Sequence, residues 1–120
     1  EAQAVCDPAW TAEALGNVLK NCMEHTPASG SITVTLWENP IYSQILVEDT
    51  GPGIRQEDLL HLFERFYRGQ NAAPQSAGIG LALARMIITA QNGTIQAANR
   101  REGGARFTIR FYRQSAPPAP

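Results

Sequence analysis

Residues 45–58 place an aspartate and two closely spaced glycines between an apolar strand and an acidic helix start. The run Asp49-Thr50-Gly51-Pro52-Gly53-Ile54 follows the apolar residues 45–47 and precedes Gln56-Glu57-Asp58. Because glycine permits backbone angles and close approaches that a Cβ forbids, this turn can lie flat against a planar ligand. Asp49 would then offer a fixed acceptor to the ligand's edge. An ordinary strand-to-helix turn has the same composition, so the run alone leaves both interpretations open.

The composition is typical of one soluble globular domain: 120 residues, 43% apolar and 18% charged. A net charge of −1 without a basic block argues against nucleic-acid binding. The apolar run 79–90 is interrupted by Gly80 and Arg85 and is too short to span a bilayer. No signal-peptide pattern opens the chain. Cys6 and Cys22 predict two reduced thiols packed in the core, which suits a reducing cytosol.

Hydrophobic periodicity and turn residues predict the order of the elements. We expect a strand remnant over 1–6, a helix over about 8–25, strands over about 32–37 and 42–48, a helix over about 57–62, a mobile loop over 69–77, a helix from Gly78 to about Gln91, and a hairpin of strands 94–99 and 105–112. Asp7-Pro8 predicts the first helix start, and Asn92-Gly93 predicts a left-handed helix end. Residues 1–114 would form the domain, followed by a disordered Pro-rich tail over 115–120.

These elements predict an α/β (α+β) two-layer sandwich. Its sheet is expected to be mixed and mostly antiparallel, with about three helices on one face. Both predicted hairpins have antiparallel connections, so a doubly wound parallel fold is excluded.

An amide pair on the first helix is a candidate ligand-binding feature. Asn17 and Asn21 lie four residues apart and project from one face. The helix carries Trp10, Leu15, Val18, Leu19 and Cys22 on an apolar stripe. We predict that the amide face lies roughly opposite Leu15, Val18 and Cys22. Such a pair is usually just the solvated side of an amphipathic helix. A carboxamide oxygen is nevertheless a suitable ligand for Mg²⁺, which binds few protein groups and takes its other ligands from phosphates and water.

Gly78-Ile79-Gly80-Leu81 opens a helix with exposed backbone N–H groups, which suits a phosphate. The preceding loop over 69–77 could close over a nucleotide, or could be only a flexible connection. Arg65 and Arg68 could meet a terminal phosphate by paired hydrogen bonds. Alternatively, they are surface arginines that flank a packed pair, Phe63 and Phe66.

In this order, the segments resemble the ATP-binding catalytic domain of sensor histidine kinases. That domain belongs to the gyrase, chaperone, histidine kinase and mismatch-repair ATPase superfamily, which has the Bergerat-type fold. The similar segments are 15–22 (asparagine box), 47–54 (first glycine box), 62–68 (phenylalanine box), 77–83 (second glycine box) and 103–109 (closing strand). They cover nearly the whole chain, and their order is far more specific than any one of them.

The resemblance implies a role for each matched residue, with ATP and Mg²⁺ as ligands. Asn21 would ligate Mg²⁺, and Asn17 would lie beside it toward the phosphates. Asp49 would accept from the adenine amine, while Gly51 and Gly53 would let the purine lie close. The resemblance places Asn17 and Arg68 at the catalytic end, with Arg68 on the terminal phosphate. The other nucleotide-binding residues that it implies are His25, which would stack near adenine, and Ile54, Gly78, Ile79, Gly80, Leu81 and Thr108.

Two positions depart from the family patterns. Glu24 stands where a phosphate-contacting Lys or Arg is common, and Ser76 stands where the second glycine box often begins. Hydrolytic relatives carry a glutamate at the position of Asn17, whose amide cannot act as a base. Since histidine is already nucleophilic at neutral pH, Asn17 favours phosphoryl transfer to histidine over hydrolysis. Glu13 and Glu24 keep hydrolysis open, and Glu24 also keeps open a degenerate nucleotide-binding module.

The resemblance also implies partners. Neither His25 nor His61 lies in a helical histidine-acid motif, so the phosphoacceptor is expected on a dimerisation domain upstream of Glu1. A response regulator would be served through that domain. We expect a largely monomeric fragment that lacks the first strand of the fold. Its expected location is the cytoplasmic side of a membrane-anchored sensor kinase, and no nucleic-acid partner is expected.

Overall fold

The computed structural model describes residues 6–67 and 79–113. Its elements are α1 (Pro8–His25), β1 (Ile32–Glu38), β2 (Tyr42–Asp49), α2 (Gln56–Leu59), α3 (Gly80–Ala90), β3 (Gly93–Asn99) and β4 (Ala105–Tyr112). The strands form one sheet in the order β1-β2-β4-β3. Every pairing among the described strands is antiparallel. The mostly antiparallel character that was predicted is therefore present, but this part of the sheet contains no parallel pair. The α+β class is confirmed.

Helix α1 begins where the sequence predicts. The Asp7 carboxylate accepts a hydrogen bond from the backbone N–H of Trp10 at 3.1 Å, and Pro8 occupies the first helical position. Ala14, Val18 and Cys22, spaced four residues apart, are buried. Trp10 is 57% exposed, so the predicted apolar stripe does not extend into the first turn.

The core lies between one face of the sheet and helices α1 and α3. Strands β2 and β4 alternate buried and half-buried residues, as expected for a sheet with one covered face. The buried residues of the sheet and the helices include Val18, Val47, Ile88, Phe107, Ile109 and Phe111. Cys22 is in this core, and Cys6 packs against it. Both cysteines are free, which confirms the predicted packing of reduced thiols.

Several predicted boundaries shift. The helix expected to reach residue 62 ends at Leu59, and turns follow it. Asn92 adopts φ 60° directly before β3, which confirms the left-handed helix end. The loop over 69–77, the tail over 115–120 and residues 1–5 of the predicted strand remnant lie outside the described residues.

Phe63 and Phe66 do not form the packed pair that was considered from the sequence. Phe63 is half-buried and meets Phe107 edge-on, with ring centroids 6.4 Å apart. Phe66 is 64% exposed at φ 65°, and the Arg65 guanidinium lies 4.9 Å from its ring centroid. Phe63 therefore packs against the core, whereas Phe66 lies at the surface.

Candidate functional site

Asp49 ends β2 and is only 3% exposed. Its Oδ1 accepts hydrogen bonds from the backbone N–H of Gly51 at 2.9 Å and of Ala105 at 3.0 Å. Two backbone donors on one carboxylate oxygen fix the side-chain rotamer, since hydrogen bonds to an ionised acceptor are strong. Both of these backbone donors converge on Oδ1.

The Cys22 thiol lies beside this carboxylate. Burial raises the pKa of Cys22 to about 12, and the negative charge of Asp49 and a hydrogen bond to it add to the shift. The thiol therefore stays protonated at neutral pH and acts as a donor toward Asp49. The sequence predicts Cys22 only as a core residue, because a single thiol at helical spacing carries no signal of a polar partner.

At both glycines after Asp49, a side chain would come too close to neighbouring atoms. A Cβ on Gly51 would lie 2.7 Å from the carbonyl oxygen of His25. Gly53 adopts φ 85°, and a Cβ there would lie 2.8 Å from Oδ1 of Asn99. The turn is thus pressed against the end of α1 on one side and the end of β3 on the other.

The β3–β4 hairpin contributes residues that sequence reasoning missed. Asn99 bonds both backbone groups of Ile54, with Oδ1 accepting from N at 2.6 Å and Nδ2 donating to O at 2.7 Å. Arg100 Nη1 donates to the carbonyl oxygen of Asp49 at 2.9 Å. A Cβ on Gly104 would lie 1.9 Å from that same oxygen. The Gly103-Gly104 pair was the one sequence signal of such a close approach.

A second group of candidate residues lies at the start of α3. The buried Nδ2 of Asn17 has no hydrogen-bond partner among the described residues. Gly80 is its neighbour, since a Cβ built on Gly80 would lie 3.9 Å from the Cβ of Asn17. Helix α3 begins there without a side-chain cap and without an acidic residue in its first turn. An unpartnered donor beside the N-terminal N–H groups of a helix fits an anion such as phosphate.

The amide pair on α1 is closer to the core than a solvated helix face would be. Asn17 and Asn21 are half-buried and lie beside Ala14 and Val18, while Asn17 is still roughly opposite Leu15 around the helix. A rotation of about 100° per residue brings positions 14, 18 and 21 close together around the helix. This placement turns Asn17 toward α3.

Helix α1 joins the two groups. Asn17, Asn21 and His25 follow one another at intervals of four residues, so they line one side of the helix over about 12 Å. The carbonyl oxygen of His25 meets Gly51 at one end, and Asn17 meets Gly80 at the other. The arrangement could hold an elongated ligand with a hydrogen-bonding edge at one end and an anionic group at the other.

The other predicted site residues lie in different parts of the fold, and not all of them are near Asp49 or the start of α3. Ile79 is 44% exposed just before α3, Ile54 packs at the edge of the core, and Leu81 is buried within it. Thr108 pairs with Leu46 and Gln96, which puts it on the sheet face away from the helices. The structure therefore does not bring Thr108 to Asp49. Arg68 and Gly78 lie outside the described residues.

Comparison with known proteins identifies the family. Residues 6–115 match the family described as histidine kinase-, DNA gyrase B- and HSP90-like ATPase. The chain belongs to this ATPase family. It is 36% identical to the sensor histidine kinase YvrG of Bacillus subtilis (strain 168) over 90% of its own length and 19% of that protein's length. It is 37% identical to the sensor protein CreC of Escherichia coli (strain K12) over 94% of its own length and 24% of that protein's length.

Solved structures agree with the family assignment. The mycobacterial sensor histidine kinase MprB superposes with a TM-score of 0.83 at 26% identity, over 92% of this chain and 77% of that one. The catalytic domain of histidine kinase ThkA gives 0.77 at 26% identity, over 89% and 69%. The resemblance to the ATP-binding catalytic domain of histidine kinases is confirmed. This ATPase domain spans about a fifth of its curated relatives. Among residues 6–67 and 79–113, no helix is long and apolar enough to cross a membrane.

Proposed function

We propose that this domain binds Mg-ATP and donates the terminal phosphoryl group to a histidine on the dimerisation domain of a longer two-component receptor. The observation that carries the proposal is the line of residues along α1. It connects the fixed carboxylate of Asp49, next to Gly51, with the uncapped start of α3, next to Asn17.

Recognition of adenine would take place at Asp49. A buried carboxylate that is held by two backbone donors accepts from the exocyclic amine of adenine without reorganising. The backbone of the turn over residues 51–53 would lie against the purine face, and the His25 ring would stack beside it. A base with an acceptor in place of the amine would face the carboxylate with like partial charge.

The phosphates would lie at the start of α3. The N–H groups that begin at Gly80 and the unpartnered Nδ2 of Asn17 supply donors for phosphate oxygens. Asn21, one turn further along α1, would supply its carboxamide oxygen to Mg²⁺. The bound metal would neutralise charge that builds on the transferring phosphoryl group. Arg68 would add a positive charge at the terminal phosphate.

Two observations favour transfer over hydrolysis. Asn17 occupies the position of the hydrolytic base, and an amide cannot take a proton from water. Glu13 and Glu24, the alternative carboxylates on α1, are exposed rather than directed into the site. A histidine acceptor needs no such base.

The partners follow from this proposal. The acceptor histidine would belong to a dimerisation domain of the same receptor, and a response regulator would receive the phosphoryl group from it. The domain alone would be monomeric, would bind no nucleic acid, and would work on the cytoplasmic side of a membrane-anchored receptor.

The test has two steps. Titration calorimetry measures ATP binding with and without Mg²⁺, and γ-labelled ATP then reports transfer in trans to the cognate dimerisation domain. Asn21→Ala should abolish the Mg²⁺-dependent part of binding. Gln96→Ala, an exposed amide on β3, should change nothing. Binding without transfer would leave the non-enzymatic module as the function. Hydrolysis that survives Asn21→Ala would overturn the site assignment.

A further inference from the structure

The β3–β4 hairpin holds the glycine turn that follows Asp49 at several points. Asn99 bonds both N and O of Ile54, Arg100 bonds the carbonyl oxygen of Asp49, and the N–H of Ala105 bonds the Asp49 carboxylate. We propose that Asn99 is a positioning residue for base recognition: its amide sets where the turn over residues 51–54 lies relative to the Asp49 carboxylate. The inference rests on the proposed binding of ATP and deepens it.

A single side chain, that of Asn99, bonds both backbone polar groups of Ile54. Oδ1 of Asn99 accepts from Ile54 N at 2.6 Å while Nδ2 donates to Ile54 O at 2.7 Å, so the amide replaces a strand partner for that residue. A primary amide offers an acceptor and a donor side by side. An ionised carboxylate only accepts, and a hydroxyl has a single oxygen, so neither side chain can pair in the same way with the N–H and C=O of one residue.

The turn is shaped to admit this amide. Gly53 adopts φ 85°, and a Cβ at that position would lie 2.8 Å from Oδ1 of Asn99. The absence of a side chain at Gly53 therefore makes room for the amide of Asn99. Asn99 itself is exposed, so its removal leaves no cavity in the core.

The hairpin also holds the other end of the segment 49–54, at Asp49. Arg100 Nη1 holds the Asp49 carbonyl at 2.9 Å, and its Nε lies 3.4 Å from the Glu48 carboxylate. The β3–β4 hairpin thus holds both Asp49 and Ile54 by hydrogen bonds. Without Asn99, Asp49 stays fixed while the turn beyond Gly51 is released. Recognition of the base then becomes less selective.

Asn39 provides a matched control. Its Oδ1 also accepts from two backbone N–H groups, of Ile41 and Tyr42, each at 2.8 Å. It lies in the turn between β1 and β2, at the end of β2 opposite Asp49. Asn39→Ala therefore removes a comparable amide from a comparable turn, far from the site.

The experiment measures dissociation constants of Mg-ATP and Mg-ITP for the 120-residue chain, together with hydrogen exchange of residues 51–54. ITP carries an oxygen in place of the adenine amine. Asn99→Ala should weaken ATP binding about tenfold, lower the preference for ATP over ITP, and speed exchange at Ile54. Asn99→Asp, which keeps the acceptor for Ile54 N, should fall between. Asn39→Ala should leave all three values unchanged.

The outcomes distinguish a failure of the inference about Asn99 from a failure of the proposed function. If Asn99→Ala lowers the unfolding midpoint as Asn39→Ala does, but keeps the ATP preference, the residue is only structural and the inference is overturned. If the unaltered chain binds no ATP, the proposed function fails, and the inference that rests on it fails with it. If the unaltered chain binds ATP and Asn99→Ala binds it equally well, only the inference fails.

Discussion

The backbone N–H of Ala105 donates to Oδ1 of Asp49 at 3.0 Å, which joins residues 56 positions apart in the chain. The same oxygen accepts from Gly51, so one carboxylate ties the end of β2 to the start of β4 and to its own following turn. Asp49 therefore has a structural task in addition to the proposed recognition of adenine. The two tasks can be separated by substitution.

Asp49→Asn separates them. An asparagine keeps an oxygen for Gly51 and Ala105, but it presents an amide donor to the adenine amine. We expect ATP binding to weaken by about 1–3 kcal/mol while ITP binding improves relative to ATP. Calorimetry with both nucleotides measures this change of preference. Asp49→Ala removes the shared acceptor and should also lower the free energy of unfolding. Equal losses for both nucleotides in Asp49→Asn would contradict the assigned role.

Gly104→Ala should be among the most damaging single substitutions in the chain. Its Cβ would lie 1.9 Å from the Asp49 carbonyl oxygen, and its φ of 89° is already unfavourable for alanine. Gly103→Ala is the matched control, because Gly103 has φ 106° but open space around its Cβ position. We expect about 1–2 kcal/mol of destabilisation for Gly103→Ala from the backbone alone, and substantially more for Gly104→Ala. Chemical denaturation of the two variants measures the difference, and similar losses would argue against the close approach.

Asn17→Ala should make the domain more stable and less able to bind nucleotide. The substitution removes a buried donor that has no partner among the described residues, and alanine favours the helix. We expect a gain of about 1 kcal/mol in the free energy of unfolding. ATP binding should weaken, because a phosphate donor is lost.

Gly16→Ala controls for helix propensity in the same turn of α1, because nothing lies within 4 Å of its Cβ position. It should add about 1 kcal/mol of stability and leave ATP binding unchanged. If Asn17→Ala is destabilising, the amide has a structural partner and the candidate phosphate end loses its main support.

Stability at alkaline pH should report on Cys22. Its pKa is raised from 9.0 to about 12 in the folded state, first by burial and then by Asp49. The folded state thus retains a proton that the unfolded state loses. The contribution is fully present below pH 9 and is lost as the pH rises through about 12. The free energy of unfolding of the unaltered chain should fall more steeply over this interval than that of Cys22→Ala. Parallel curves would show that the thiol is not protected.

The sequence was sufficient for features that depend on local pattern. The caps of α1, the left-handed residue Asn92 and the alternation along β2 and β4 all follow from short-range preferences. The order of the asparagine, glycine and phenylalanine boxes along the chain was sufficient to predict the family. The partial burial of Asn17 could not be predicted, because the face of a helix that becomes buried depends on where α3 packs, and this is a tertiary property.

The residues around Asp49 show the same limit. Asn99 and Arg100 act on residues 45 and 51 positions away, and nothing in a hairpin sequence indicates the partner of an amide or a guanidinium. Thr108 was assigned to the site by its place in a similar segment. Its position in the alternation of β4 puts it on the other face of the sheet.

The link between Ala105 and Asp49 has a consequence for the order in which the domain matures. Asp49 leaves the ribosome long before the hairpin that holds it, so the carboxylate has no fixed orientation until β4 has paired with β2. An N-terminal intermediate could form α1 and the β1–β2 hairpin and still lack a preformed base-recognition end. Competence to bind nucleotide would then arise with β4, and ligand binding would report that β4 has paired with β2.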